Sequence, residues 1–171
     1  MKHYLLEGEI NEEALRDLSA FFNENSDAPI TVFLDSNGGF TSYAHAMAIV
    51  IDAHEQPVKL IAINSIKSAG ADLFFRVWCE RIVLPCTTGL IHCSGRSVRV
   101  THKGYIPDPI ERFDHSGLSR DIENELNFWT IAGLDGKKLK DYAAGKDVML
   151  TERQLNQMLF DQARNRKKID G

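Results

Sequence analysis

Apolar runs alternate along the chain with segments whose apolar residues recur at helical spacing. "PITVFLD" (29–35), "VKLIAIN" (58–64), "RIVLP" (81–85) and "GLIHC" (89–93) are short and nearly continuous in apolar character. Such runs read as strands covered on both faces. Residues 3–7 form a further short strand. Between the runs, Ala14, Leu15, Leu18, Phe21 and Phe22 line one face of a helix that Asn11 can cap. Tyr43, Ala46, Met47, Val50 and Ile51 line a second helix, and "SAGADLFF" (68–75) has helical character. "SNGG" (36–39) reads as a turn that ends a strand, because Gly38 and Gly39 adopt positive φ without steric cost. Strands separated by helices predict an α/β fold of repeated βαβ units around a largely parallel sheet.

From 94 to 116 the pattern dissolves into a mixture of charge, Gly and Pro, which predicts an extended excursion rather than core. Helices are expected again over 117–132, 136–144 and 151–164. No internal repeat and no linker divides the chain, so residues 1–171 read as one domain, long enough to bury a substantial core.

Charge and composition narrow the function. The net charge of −4 gives the surface as a whole no electrostatic reason to bind nucleic acid or anionic membrane. The one basic cluster, "RNRKK" (164–168), reads as a solvated tail. The longest apolar stretch, "AMAIVI" (46–51), is too short to cross a bilayer, and the N-terminus reaches acidic residues too early for a signal peptide. Cys79, Cys86 and Cys93 have no CxxC spacing. They suit a reducing cytoplasm better than a disulfide framework, and a zinc site built from them with His92 lacks the expected motif.

Three residues could carry chemistry, each with a plain structural alternative. Ser68 opens a helix directly after a strand, where a hydroxyl commonly caps the helix. The small residues that follow it let backbone N–H groups approach a reacting carbonyl, and a helix N-terminus favours developing negative charge. His92 lies in an apolar strand, where a histidine is commonly a packed core or rim residue. Asp147, in "GKDVML", could serve only a turn or a cap. Ile66 stands where a GxSxG nucleophile elbow needs glycine, so an α/β-hydrolase is not indicated. Phe40 and Thr41 break any dinucleotide-binding GxGxxG pattern.

Together these segments resemble the proteolytic subunit of the Clp protease, of the ClpP/crotonase superfold. The resemblance rests on "DSNGG" (35–39), "SAGA" (68–71), "LP" (84–85), "IH" (91–92) and "KDVMLTERQL" (146–155). It is strongest over 30–93, returns over 146–161 and nearly vanishes over 94–140. It implies Ser68 as nucleophile, His92 as general base and Asp147 as the group that orients it. It also implies the backbone N–H groups of Gly39 and Ala69 as oxyanion donors, with no cofactor and no metal. The activity implied is a serine endopeptidase cleaving peptides or unfolded polypeptide through an acyl-enzyme. The alternatives are a catalytically inactive scaffold or ring subunit, and an acyl-CoA-handling crotonase-fold enzyme.

Several positions depart from the family pattern. Lys67 replaces a small residue before the nucleophile, Asn37 replaces a proline, and Met158 stands where glycine is usual. The handle region, about 94–140, is longer and contains Pro107 and Pro109. Its Tyr105, Ile106, Ile110 and Phe113 predict an interface with another copy, so a cyclic homo-oligomer, possibly of stacked rings, is expected. The chain starts at the first core strand, so coupling to a Clp-type ATPase is expected to be weak or absent.

Overall fold

The computed structural model describes residues 1–92 and 115–169. Among the described residues, six strands and six helices follow the order β1 (Lys2–Ile10), α1 (Glu12–Glu24), β2 (Ile30–Gly39), α2 (Thr41–Asp52), β3 (Val58–Lys67), α3 (Ala69–Arg76), β4 (Glu80–Val83), β5 (Thr88–Ile91), α4 (His115–Ile131), α5 (Gly136–Ala143), β6 (Val148–Leu150) and α6 (Glu152–Ile169). All pairings are parallel except the last, between β5 and β6. The sheet order is β1-β2-β3-β5-β6, with β4 also on β3. β4 and β5 share one edge of β3: β4 pairs with Lys59–Ala62 and β5 with Ser65–Lys67. This is the expected α/β architecture with a mostly parallel sheet.

The apolar runs form the centre. Ile30, Val32 and Leu34 of β2 and Leu60, Ala62 and Ile66 of β3 are fully buried. Each of the larger side chains contributes about 1.5–3 kcal/mol through burial. In α1, Asn11 accepts a hydrogen bond from the Ala14 amide at 2.9 Å. Leu18 and Phe22 are buried there, and Ala14, Leu15 and Phe21 pack beside them, as the periodicity predicts. α3 runs through the middle of the fold, and every residue from Ala69 to Phe75 is buried.

The "SNGG" segment departs from expectation. It does not turn the chain: β2 stays extended through Gly39, pairing Gly38 with Glu9 and Gly39 with Ile10. Both glycines do take positive φ, +111° and +146°. β1 is longer than predicted, and its far end supplies the partner that holds these glycines extended.

The basic cluster is solvated only in part: Arg164 and Lys167 are exposed, but Arg166 is not free of the core. α6 carries the cluster, and the Arg166 guanidinium donates to the carbonyls of Phe75 and Val77, each at 3.3 Å, while lying 3.9 Å over the Trp78 ring. Gln162 joins it, donating to the Phe75 carbonyl at 2.8 Å. These groups satisfy carbonyls that the end of α3 would otherwise leave open, and they bring positive charge to its negative pole.

Cys79 and Cys86 are free thiols. Among the described residues, no three His, Cys, Asp or Glu side chains are placed to hold a metal ion. Among them too, no helix is long and apolar enough to cross a membrane. Cys93, Pro107, Pro109 and the predicted interface residues Tyr105, Ile106, Ile110 and Phe113 lie outside the described residues.

Candidate active site

Strand register assembles the site. β3 and β5 are parallel with Lys67 opposite Leu90, and the Ser68 amide donates to the Leu90 carbonyl at 2.7 Å. Ser68 follows the end of β3 and His92 the end of β5, so the two residues leave neighbouring parallel strands side by side, and the positive φ of Ser68 breaks the pleat there. β6 then pairs antiparallel with β5 so that Ile91 opposes Val148. One step further, His92 is carried beside Asp147.

Ser68 Oγ lies 2.7 Å from His92 Nε2. On the other side of the ring, Nδ1 lies 3.6 Å from Asp147 Oδ1. The first distance is that of a short hydrogen bond; the second is an ionic contact, longer than one. The Asp147 side chain is 67% exposed and that of His92 42%.

Ser68 occupies the N-cap position of α3, yet its hydroxyl caps nothing. Its backbone is at φ 50°, ψ −122°, a region that costs a non-glycine residue of order 1–3 kcal/mol. The distortion turns the side chain away from the helix amides and toward His92. Capping is therefore not its role.

The glycine segment packs against this serine. A Cβ on Gly38 would lie 2.7 Å from Ser68 Cβ, and one on Gly39 would lie 2.2 Å from the Ile10 carbonyl oxygen. Only glycine allows both the conformation and the approach. Ser36 Oγ, buried beneath, donates to the Gly8 carbonyl at 2.6 Å and accepts from the Gly38 amide at 3.1 Å. Ala69 is the first helical residue of α3, so its N–H has no partner within the helix.

Lys67, which replaces a small residue before the nucleophile, is half-buried. Its ammonium donates to Asn37 Oδ1 at 2.9 Å. Asp35 ties the same junction, accepting from the Ser65 amide and hydroxyl, both at 3.2 Å, and from Asn64 Nδ2 at 2.7 Å. Asp141, six residues before Asp147, accepts from Lys146 Nζ at 2.8 Å. That hydrogen bond holds its carboxyl below the usual range.

A polar group beside the serine escaped the sequence reading. Arg76 pairs with Asp72 one turn back, and His45 approaches Asp72 from α2. The four-residue spacing of Ser68, Asp72 and Arg76 was a usable signal, since such residues share a helix face. Nothing local pointed to His45.

A parallel-sheet α/β fold with a strained serine against a histidine defines the class of protein. The sequence profile of the Clp protease family matches residues 4–105, and the chain belongs to that family. Among solved structures, ClpP1 from Listeria monocytogenes superposes with a TM-score of 0.69 at 20% identity, over 91% of this chain and 86% of that one. Its N165D mutant gives the same TM-score and coverage at 23% identity. At such identities the likeness is one of fold. No curated protein matches this chain.

Proposed function

We propose that the chain is a serine endopeptidase that cleaves peptides or unfolded polypeptide through an acyl-enzyme. The observation that carries this reading is the 2.7 Å contact between Ser68 Oγ and His92 Nε2, made by a serine held in a strained backbone. A serine hydroxyl is a weak nucleophile until a base takes its proton.

In this reading His92 carries its proton on Nδ1, toward Asp147, and Nε2 accepts from Ser68. Oγ attacks the scissile carbonyl carbon as its proton passes to Nε2. The oxygen that becomes negative accepts hydrogen bonds from the Gly39 and Ala69 amides, where the N-terminal end of α3 also favours the charge. Collapse breaks the C–N bond, and the leaving amine takes the proton from Nε2. Water, deprotonated by His92, then hydrolyses the ester and restores the hydroxyl.

The alternative, a catalytically silent ring subunit, has one observation in its favour: Asp147 is exposed and stands beyond hydrogen-bond distance of His92. An acyl-CoA enzyme would use the two amides but has no need of a Ser68–His92 contact. Assembly with further copies of the chain is part of the proposal.

A fluorophosphonate probe tests the reading. The adduct is expected on Ser68 and absent in Ser68→Ala. An adduct elsewhere on folded protein, with Ser68 untouched, sinks the peptidase reading.

A further inference from the structure

The helix face that begins at Ser68 continues with Asp72 and Arg76. Four residues advance an α-helix by about 6 Å, so a group attached to Ser68 meets this stripe next. Beside Ser68 a cleft of about 60 Å³ is lined by His45, Asp72, Arg76, Glu125, Ile91 and Trp129 among others. That volume holds a few waters or a short side chain. It does not hold a long one.

The polar groups of the cleft are charged and interlocked. Arg76 grips Asp72 with both ends of its fork, NH2 to Oδ1 at 3.0 Å and Nε to Oδ2 at 3.3 Å. Asp72 is only 8% exposed. His45 Nε2 comes within 2.8 Å of Asp72 Oδ2, shut off from solvent but not aligned for a hydrogen bond. Across the cleft the Tyr142 hydroxyl donates to Glu125 Oε2. Burial alone would raise the Asp72 pKa. The close approach of His45 and the two hydrogen bonds and charge of Arg76 outweigh it and hold the carboxyl below its ordinary value.

We propose that this cleft receives the side chain on the acyl side of the scissile bond and selects a short polar one, of asparagine, serine or threonine type. The inference rests on the peptidase reading of Ser68. An aliphatic or aromatic group in the cleft would displace water from the partly exposed Arg76 guanidinium and give it nothing in return. A site built from polar groups rejects an analogue that cannot hydrogen-bond with them more strongly than an apolar pocket rejects a polar one. An acidic side chain meets two carboxylates, Asp72 and Glu125. A lysine or arginine side chain exceeds the space.

The test uses peptidyl phosphonates that differ only in the side chain next to phosphorus, asparagine-type against leucine-type. Adducts at Ser68 are followed by intact mass. The asparagine-type probe is expected to label at least tenfold faster. His45→Leu, which leaves the Asp72–Arg76 pair in place, should lower that preference at least threefold. The triple variant His45→Leu, Asp72→Leu, Arg76→Met should abolish or reverse it where it folds. Equal or faster labelling by the leucine-type probe in the native protein overturns the proposal, as does a preference untouched in His45→Leu. A general fluorophosphonate run in parallel separates the two readings. Its failure on Ser68 sinks the peptidase itself; its success, with no discrimination or no labelling by the peptidyl probes, sinks only the cleft.

Discussion

Lys67 and Asn37, the two residues flanking the nucleophile that depart from the family pattern, are hydrogen-bonded to each other. Nζ lies 2.9 Å from Oδ1 across the junction of β2 and β3. The Lys67 carbonyl is also 3.0 Å from where a Gly38 Cβ would stand. The pair thus fastens the glycine segment to the residue preceding Ser68. Asn37→Ala and Lys67→Ala should each slow labelling of Ser68 a few-fold. The double variant should be no worse than the poorer single one, with a coupling of about 0.5–1 kcal/mol. Additive losses in that cycle would show the contact to be incidental.

Gly39 and Gly38 separate folding from chemistry. Alanine at Gly39 must displace the Ile10 backbone at a positive φ, so Gly39→Ala should lower stability by roughly 2 kcal/mol or more. At Gly38 the first obstacle is Ser68 Cβ itself. Gly38→Ala is therefore expected to reduce the labelling rate by more than its loss in melting temperature explains. Paired thermal and labelling measurements on both variants check this.

Much of this was legible locally. Continuous apolar runs gave the strands, and apolar spacing gave α1 and α2. What remained hidden depends on partners far along the chain. Arg166 looked like part of a charge run because its acceptors, near Phe75 and Val77, lie about ninety residues earlier. β6 is three residues long, with Met149 exposed between buried Val148 and Leu150, too short an alternation to stand out. "SNGG" permits both a turn and an extended strand, and only pairing with β1 decides. The sequence offered Ser68, His92 and Asp147 through a resemblance; their proximity follows from the register of β3, β5 and β6. The polar cleft needed α2 brought against α3, which no local pattern encodes.

The cysteines should differ in reactivity. Burial, reinforced by Asp52, pushes the Cys79 thiol up to about 11, while Cys86 is exposed. At pH 8, iodoacetamide should modify Cys86 and spare Cys79 in folded protein. The folded pKa of Cys79 lies above its ordinary value of 9.0. Its contribution to stability is therefore full below pH 9 and is lost as pH rises toward 11. Cys79→Ala should flatten the fall in melting temperature over that window. An unchanged slope would show that Cys79 does not drive it.

The end of α3 opposite Ser68 is held by Gln162 as well as Arg166. Gln162 is 1% exposed; it donates to the Phe75 carbonyl and accepts from Arg81 at 2.5 Å. Gln162→Leu removes the shortest donor from the Phe75 carbonyl, which keeps Arg81 and Arg166, and takes the side-chain acceptor from the half-buried Arg81 guanidinium. The expected loss is about 1–3 kcal/mol, read from chemical denaturation. Fluorophosphonate labelling of the still-folded fraction should change little, since the nucleophile sits at the other end of the helix.

His92 and Asp147 should prove unequal. His92 touches the nucleophile at 2.7 Å, so His92→Ala removes the base outright and should cut peptide turnover by orders of magnitude. Asp147 meets the ring only at 3.6 Å, with its side chain two-thirds exposed to water. Water screens such a contact, and what it contributes is orientation of the ring and some stabilisation of its protonated form. A contribution of about 1–2 kcal/mol corresponds to roughly five- to thirtyfold in rate. Asp147→Asn should therefore retain measurable turnover where His92→Ala does not, and Asp141→Asn, at a carboxylate already engaged by Lys146, should stay near the native rate. If Asp147→Asn were as damaging as His92→Ala, the aspartate would have to close on the ring during turnover, and the open spacing would describe only the resting enzyme. If Asp141→Asn alone were damaging, the orienting role would belong to that carboxylate instead.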